Sequence, residues 1–262
     1  AYEDLFACGL LKSGAVMVPC PWFPAAADLQ RRHPEYDLGV HLTLTSEWET
    51  YRWRPLTAGV SDSSLVDAQG FFPRSDAEVQ ANALPQEAAS ELLAQVQRAI
   101  QFGIDPTHID THMGAVAHPQ IFPAYIDLVR RFRLPALVPR GDVEQLVALG
   151  VDANTAQFLA GVAAALEQEG IALMDHVAGL PLDQPCGQLE AARRILGGLR
   201  PGLTHLLLHP LVDTPEAHTF PDWESRVANY RLFRSDELRQ LFEAEDIHLI
   251  GYRQVRQALR GE

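Results

Sequence analysis

The chain has 262 residues, 47% of them hydrophobic and 21% charged, enough for one large domain or two small ones with a buried core. Its 34 acidic residues against 21 basic ones leave a formal charge of −13, which argues against nucleic acid or an anionic membrane as partner, because phosphates need a basic footprint. Cys8, Cys20 and Cys186 are odd in number, far apart and without a CxxC spacing, so a reduced, cytoplasmic setting is expected rather than a disulfide framework.

The chain opens on Ala1-Tyr2-Glu3-Asp4-Leu5-Phe6, where Leu5, Cys8 and Leu11 follow helical spacing. A helix with no clear cap and nothing before it suggests that an element precedes Ala1. Strand-like apolar runs then alternate with amphipathic segments. The strand candidates are Ala15 to Cys20, Leu38 to Thr45, His108 to Gly114, Ala136 to Arg140, Ile171 to Val177, Leu203 to His209 and Ile247 to Tyr252. The helix candidates are Phe23 to Arg32, Ala77 to Phe102, Pro119 to Arg131, Val143 to Glu169, Gly187 to Gly198 and Ser235 to Glu245. This alternation predicts βαβ units and a mainly parallel sheet. With one strand lost before Ala1, the seven candidates make eight. The natural expectation is an α/β fold of the (β/α) TIM-like barrel type, lacking its first strand in this chain and forming one domain over residues 1–262. An open doubly wound sheet is the alternative. No run of apolar residues approaches the roughly 20 of a membrane span.

Glu47 to Arg74 breaks the rhythm with Trp48, Tyr51, Trp53, Pro55 and Gly70-Phe71-Phe72-Pro73. So long and aromatic a loop, directly after a strand candidate, reads as a cover over the strand ends in which Trp48 and its neighbours stack on a sugar ring. The alternative is a satellite hydrophobic cluster.

Three segments carry histidines in a strand-like setting. In Leu38 to Thr45, His41 shares a face with Thr43 and Thr45, opposite Val40, Leu42 and Leu44. A polar face on a strand of a parallel sheet needs a reason, because such strands are normally buried on both sides. Pro106-Thr107-His108-Ile109-Asp110-Thr111-His112 puts His108, Asp110 and His112 together if extended. If helical, the two histidines would be i,i+4 neighbours, but the glutamate of an HExxH zinc site is absent and Thr107, Ile109 and Thr111 favour a strand. Such a face can bind a divalent metal, with a carboxylate orienting an imidazole. Leu203 to His209 offers His205 and His209, the latter at a strand end, where an imidazole suits acid/base work. For each histidine the competing reading is a buried, hydrogen-bonded structural role.

With these residues in place, the chain resembles the YdjC-like carbohydrate deacetylases over nearly its whole length. The similarity is carried by Gly9-Leu10-Leu11-Lys12-Ser13 with Met17-Val18-Pro19, by Gly39-Val40-His41-Leu42-Thr43-Leu44-Thr45, by Pro106 through His112, and by His209-Pro210 with Ile247-His248-Leu249-Ile250. The resemblance implies a distorted (β/α) barrel and a metal-dependent hydrolase that removes N-acetyl groups from an amino sugar or an N-acetylated oligosaccharide or glycolipid. It implies one divalent ion, magnesium or zinc, held by His41 and His112. It makes Asp110 an orienting site residue, His209 a general acid and Arg226 a substrate contact, although a surface ion pair suits Arg226 as well. It also implies a homodimer. The family's paired aspartates would lie before Ala1, and where many members carry further histidines this chain has Met113-Gly114-Ala115-Val116. Two other readings compete: a metal-dependent barrel sugar isomerase, for which Asp175 beside His176 would be a strand-end ligand, and a sugar-binding relative without catalysis.

Overall fold

A computed structural model describes residues 1–57, 63–141, 143–148 and 151–262. In chain order the elements are α1 (Tyr2–Cys8), β1 (Gly14–Val16), α2 (Phe23–Arg32), β2 (Leu38–Leu42), α3 (Asp76–Asn82), α4 (Pro85–Gln101), β3 (Ile109–Thr111), α5 (Phe122–Phe132), α6 (Val143–Ala148), α7 (Ala153–Gln168), β4 (His176–Gly179), α8 (Gln188–Gly197), β5 (Thr204–Leu207), α9 (Trp223–Leu232), α10 (Asp236–Ala244) and α11 (Tyr252–Arg260). Contacts group them into two units: Ser13–Leu173 with Tyr252–Glu262, and Ala1–Lys12 with Met174–Gly251. Among the described residues, no helix is long and apolar enough to cross a membrane.

In the larger unit β1, β2 and β3 form a parallel sheet in that order. Parallel pairing requires a crossover between neighbours, which α2 supplies after β1 and α3 with α4 after β2. Val40, Leu42, Ile109, Leu92, Val96 and Tyr125 are fully buried and form the core against which α4 and α5 pack. The single helix expected from Ala77 to Phe102 is two. Pro85 forces Leu84 into an extended conformation at ψ 129°, so the chain leaves α3 and restarts as α4. Ser75 and Glu78 close a reciprocal capping box at the start of α3. The helix expected over Val143 to Glu169 is likewise split into α6 and α7, and its residues 149–150 lie outside the described part, as do residues 58–62 of the aromatic loop.

Strands β1, β2, β3 and β5 end sooner than expected, at Val16, Leu42, Thr111 and Leu207, and the strand expected over Ile171 to Val177 starts only at His176 and runs to Gly179; for β2 and β3 the reasons are identifiable. After Leu42 the backbone of Thr43 pairs with a side chain: its N–H donates to Gln95 Oε1 at 2.9 Å and its carbonyl accepts from Gln95 Nε2 at 2.8 Å. After Thr111 the chain turns through a 3₁₀ turn at His112–Gly114, with Met113 at φ 53° and Gly114 at φ 70°. Ala136 to Arg140 forms no strand and holds isolated bridge residues, of which Ala136 pairs in parallel with Ile109. Ile247 to Tyr252 forms no strand. Tyr252 instead starts α11, whose first N–H groups are taken up by Ser13 Oγ at 2.8 Å and Asp37 Oδ2 at 2.6 Å.

The smaller unit holds the parallel pair β4-β5 in the register His176–Thr204 and Val177–His205. Its apolar cluster joins Leu5 and Leu10 to Leu196, Tyr230, Leu238 and Phe242. Gly9, at φ 78°, ends α1 in the left-handed conformation that a Cβ disfavours. The helix α9 had no sequence signal, because its buried side includes Ser225 and Asn229.

The α/β class and the parallel sheets are as expected from sequence. The eight-stranded ring is not: among the described residues hydrogen bonding joins three strands in one open sheet and two in another.

Candidate active site

Strand register explains the first half of the site. His41 of β2 stands opposite Asp110 of β3, so their side chains leave the same face and meet, with His41 Nδ1 donating to Asp110 Oδ1 at 2.7 Å. The Asp110 side chain is 7% exposed and that of His41 21%. Burial alone would lower the His41 pKa. The charge and hydrogen bond of Asp110, with the charge of Glu47, outweigh burial and raise it above the ordinary imidazole value.

His112 comes from the turn immediately after β3. Its ring packs edge-on to that of His41, with centroids 5.4 Å apart, and its Nε2 donates to Glu47 Oε2 at 2.9 Å. Two imidazoles from adjacent strands therefore meet at the C-terminal edge of the sheet, each held by a carboxylate at one nitrogen. No hydrogen bond engages the other nitrogen, His41 Nε2 or His112 Nδ1, among the described residues.

The chain that carries Glu47 is held on both sides. Trp53 Nε1 donates to the Thr45 carbonyl at 2.8 Å, Ser46 N–H donates to the Pro73 carbonyl at 2.7 Å, and Ser46 Oγ accepts from Trp53 N–H at 3.1 Å. Trp53 is buried, stands edge-on to His112 at 6.0 Å, and in turn contacts Trp48 at 5.7 Å. Trp48 and Tyr51 complete this aromatic wall at 5.9 Å. The loop is thus a packed cluster, with Trp48 half-buried in it. After β1, Cys20 is pushed up to about 12 by burial, with a contribution from the charge of Glu47, and Trp22 is 74% exposed.

The remaining candidates are engaged within their own units. His108 is buried, stacked on Tyr252 with ring centroids 3.9 Å apart, and bonded through Nδ1 to Thr107 Oγ1 at 3.1 Å. His209 belongs to the smaller unit, where it follows β5 and its N–H donates to Asn229 Oδ1 at 3.1 Å. His205 lies within β5, opposite Val177. Arg226 closes a two-bond ion pair with Asp222, 2.6 and 2.8 Å, one helical turn away. Asp175 precedes β4, at the N-terminal end of its strand, and accepts the Leu203 N–H at 2.8 Å. That placement gives Asp175 the task of starting β5 and does not make it a ligand at a strand's C-terminal end.

Glu47 had not been singled out from the sequence. Read as the first residue of an irregular loop, it has no periodicity to place it. The available signal was a carboxylate just beyond the end of a histidine-bearing strand. Among the described residues, no three His, Cys, Asp or Glu side chains converge as a ready-made metal cage. The donor chemistry nevertheless fits a divalent ion. Two imidazoles are adjacent, each fixed by a carboxylate from behind, the arrangement by which metal-ligating histidines are oriented.

The sequence model of the YdjC-like protein family matches residues 1–244. A carbohydrate deacetylase of Thermus thermophilus is 37% identical over 250 residues, 95% of this chain and 86% of the relative. A chitooligosaccharide deacetylase of Yersinia enterocolitica is 33% identical over 145 residues, 54% of each chain. Among solved structures, a protein of Enterococcus faecalis described as a cellobiose-phosphate cleavage protein superposes with a TM-score of 0.77 over 96% of this chain and 90% of its own, at 21% identity. That last likeness speaks for the fold alone.

Proposed function

The chain belongs to the YdjC-like protein family, and we propose that it is a metal-dependent hydrolase that removes N-acetyl groups from amino sugars of the chitooligosaccharide type. The observation that carries this reading is the meeting of His41 and His112, 5.4 Å apart at the end of the sheet, each backed by a carboxylate. The names carried by the Thermus and Yersinia relatives support the reaction class.

In this reading His41 Nε2 and His112 Nδ1 hold the ion. Imidazole donors favour zinc-like ions over magnesium, which prefers all-oxygen coordination. When bound, the ion supplies Lewis acidity toward the acetamide carbonyl and lowers the pKa of a water. Asp110 keeps the proton of His41 on Nδ1 and fixes the ring, so that the lone pair stays on Nε2. The aromatic wall of Trp53, Trp48 and Tyr51 limits water on one side of the imidazoles and presents faces suited to a pyranose ring. Arg226, already paired with Asp222, is not assigned to substrate. For His209 the role of proton donor rests on the family resemblance alone.

Acetate release from N-acetylglucosamine oligomers, measured with Zn²⁺ and Mg²⁺ added in turn, tests this reading. Metal-dependent release that His112→Ala abolishes is expected. Release unchanged in His112→Ala, or none with any divalent ion, sinks it.

A further inference from the structure

We propose that Glu47 is a positioning residue of the metal site: it fixes the His112 imidazole so that Nδ1, and not Nε2, is the nitrogen offered to the ion. The inference rests on the metal-site reading above and deepens it by giving a task to the carboxylate behind His112.

A carboxylate accepts and cannot donate, so the 2.9 Å contact between Glu47 Oε2 and His112 Nε2 places the ring proton on Nε2. The lone pair then sits on Nδ1. Asp110 does the converse for His41, protonating Nδ1 and leaving Nε2. The pair is not a loose surface contact: the side chains of His112 and Glu47 are only 14% and 23% exposed. Glu47 is also presented by a held segment. Ser46, next to it, is tied to Pro73, Arg52 and Trp53, and Thr45 to Trp53. The carboxylate therefore arrives with little freedom to lose, which is what a residue orienting a ligand requires. Glu47 thus belongs to the cluster and not to the outer loop.

The test is direct metal binding by the full chain stripped with a chelator. Zn²⁺ is titrated by calorimetry and Co²⁺ by its visible absorption. Glu47→Ala should weaken both ions by roughly 10–100-fold, the usual loss when an orienting partner is removed, and should alter the Co²⁺ band. Glu47→Gln keeps an oxygen that accepts from Nε2–H, so it should stay within roughly threefold of wild type with an unchanged band. Glu47→Met, which retains the bulk, replaces Glu47→Ala if that variant unfolds in the chelator. Binding by the Ala or Met variant as tight as wild type overturns the proposal. So does a Gln variant as weak as the Ala variant, because the carboxylate would then act by charge or as a ligand. Failure of the metal-site reading itself looks different: wild type takes up neither ion.

Discussion

The two ends of the three-stranded sheet carry the same residue types and put them to opposite uses. At the N-terminal end, Asp37, Asp105, Thr107 and His108 meet the helix α11. Both oxygens of Asp37 are engaged, Oδ1 by the Thr107 hydroxyl and Oδ2 by the Arg253 N–H. Asp105 holds Arg256 through two bonds of 2.6 and 2.8 Å, and the His108 ring lies flat on Tyr252. At the C-terminal end, His41 and His112 each give one nitrogen to a carboxylate, while the other ring nitrogen makes no hydrogen bond among the described residues. A histidine on a strand is therefore not informative in itself. What separates a latch from a site is whether its hydrogen-bonding and stacking capacity is used up by the fold.

That contrast breaks most visibly by removing one imidazole from each end. His112→Ala takes away a proposed ligand, so its loss should exceed the roughly 100-fold upper range for removing a ligand's orienting partner, read as kcat/KM for acetate release. It should cost less stability than His108→Ala, about 1–2 kcal/mol, because the ring is edge-packed on His41 and Trp53 and gives up one hydrogen bond, to Glu47. His108→Ala should do the reverse. Losing a fully buried, stacked ring costs about 3 kcal/mol, read by denaturant unfolding, while kcat/KM stays within about threefold if the end is only a latch. A His108→Ala enzyme with normal stability and lost activity would invert the assignment of the two ends.

The sequence exposed the strands of the sheet, the crossover α2 to the residue, and the histidine faces, because each rests on local periodicity. It did not expose what depends on distant partners. Strand β2 stops at Leu42 because Gln95, more than fifty residues on, takes over the Thr43 backbone. Helix α9 was invisible because Ser225 and Asn229 are on its buried side, Asn229 bonding to Gln188 and to His209. The run from Ile247 to Tyr252 looked like a strand, but α11 begins where Ser13 and Asp37 satisfy its first N–H groups. The expected barrel rested on counting apolar runs, and runs do not reveal which of them pair. Within the candidate site, Asp110 could be named from its place between two histidines, but its contact with His41 needed the register. Glu47 needed the fold.

A smaller perturbation sharpens the latch. A Cβ added at Gly39 would come within 2.5 Å of the His108 ring, which is clamped between it and Tyr252. The ring cannot swing away as a flexible chain end would, so Gly39→Ala should cost about 1–3 kcal/mol by overpacking. In the double variant Gly39→Ala/His108→Ala most of that cost should vanish. A coupling energy near zero in this cycle would mean that the two residues do not press on each other, and the tight packing of this end would be lost as an explanation.

The smallest effect concerns the outermost tie of the latch. The hydrogen bond from Arg256 to Asp105 lowers the Asp105 pKa, against the opposing effect of burial. A carboxylate whose pKa is depressed on folding stabilises the fold above its unfolded value of about 3.8 and loses that contribution as the pH falls through the lower folded value. The Asp105 side chain is 61% exposed while Arg256 is 7% exposed, so solvent screening limits the pair to about 1 kcal/mol or less. Asp105→Asn should therefore unfold more easily than wild type at pH 7, by that amount, and the gap should close as the pH falls through the lowered folded value of Asp105. Because Arg256 also donates to the Pro106 carbonyl at 2.8 Å, the helix should stay docked in the variant, leaving acetate release unaltered at pH 7. A gap that stayed constant from pH 7 to pH 2 would show that Asp105 contributes by packing and not through its charge. Loss of acetate release in this variant would tie the two ends of the sheet together, against the separation argued from His108 and His112.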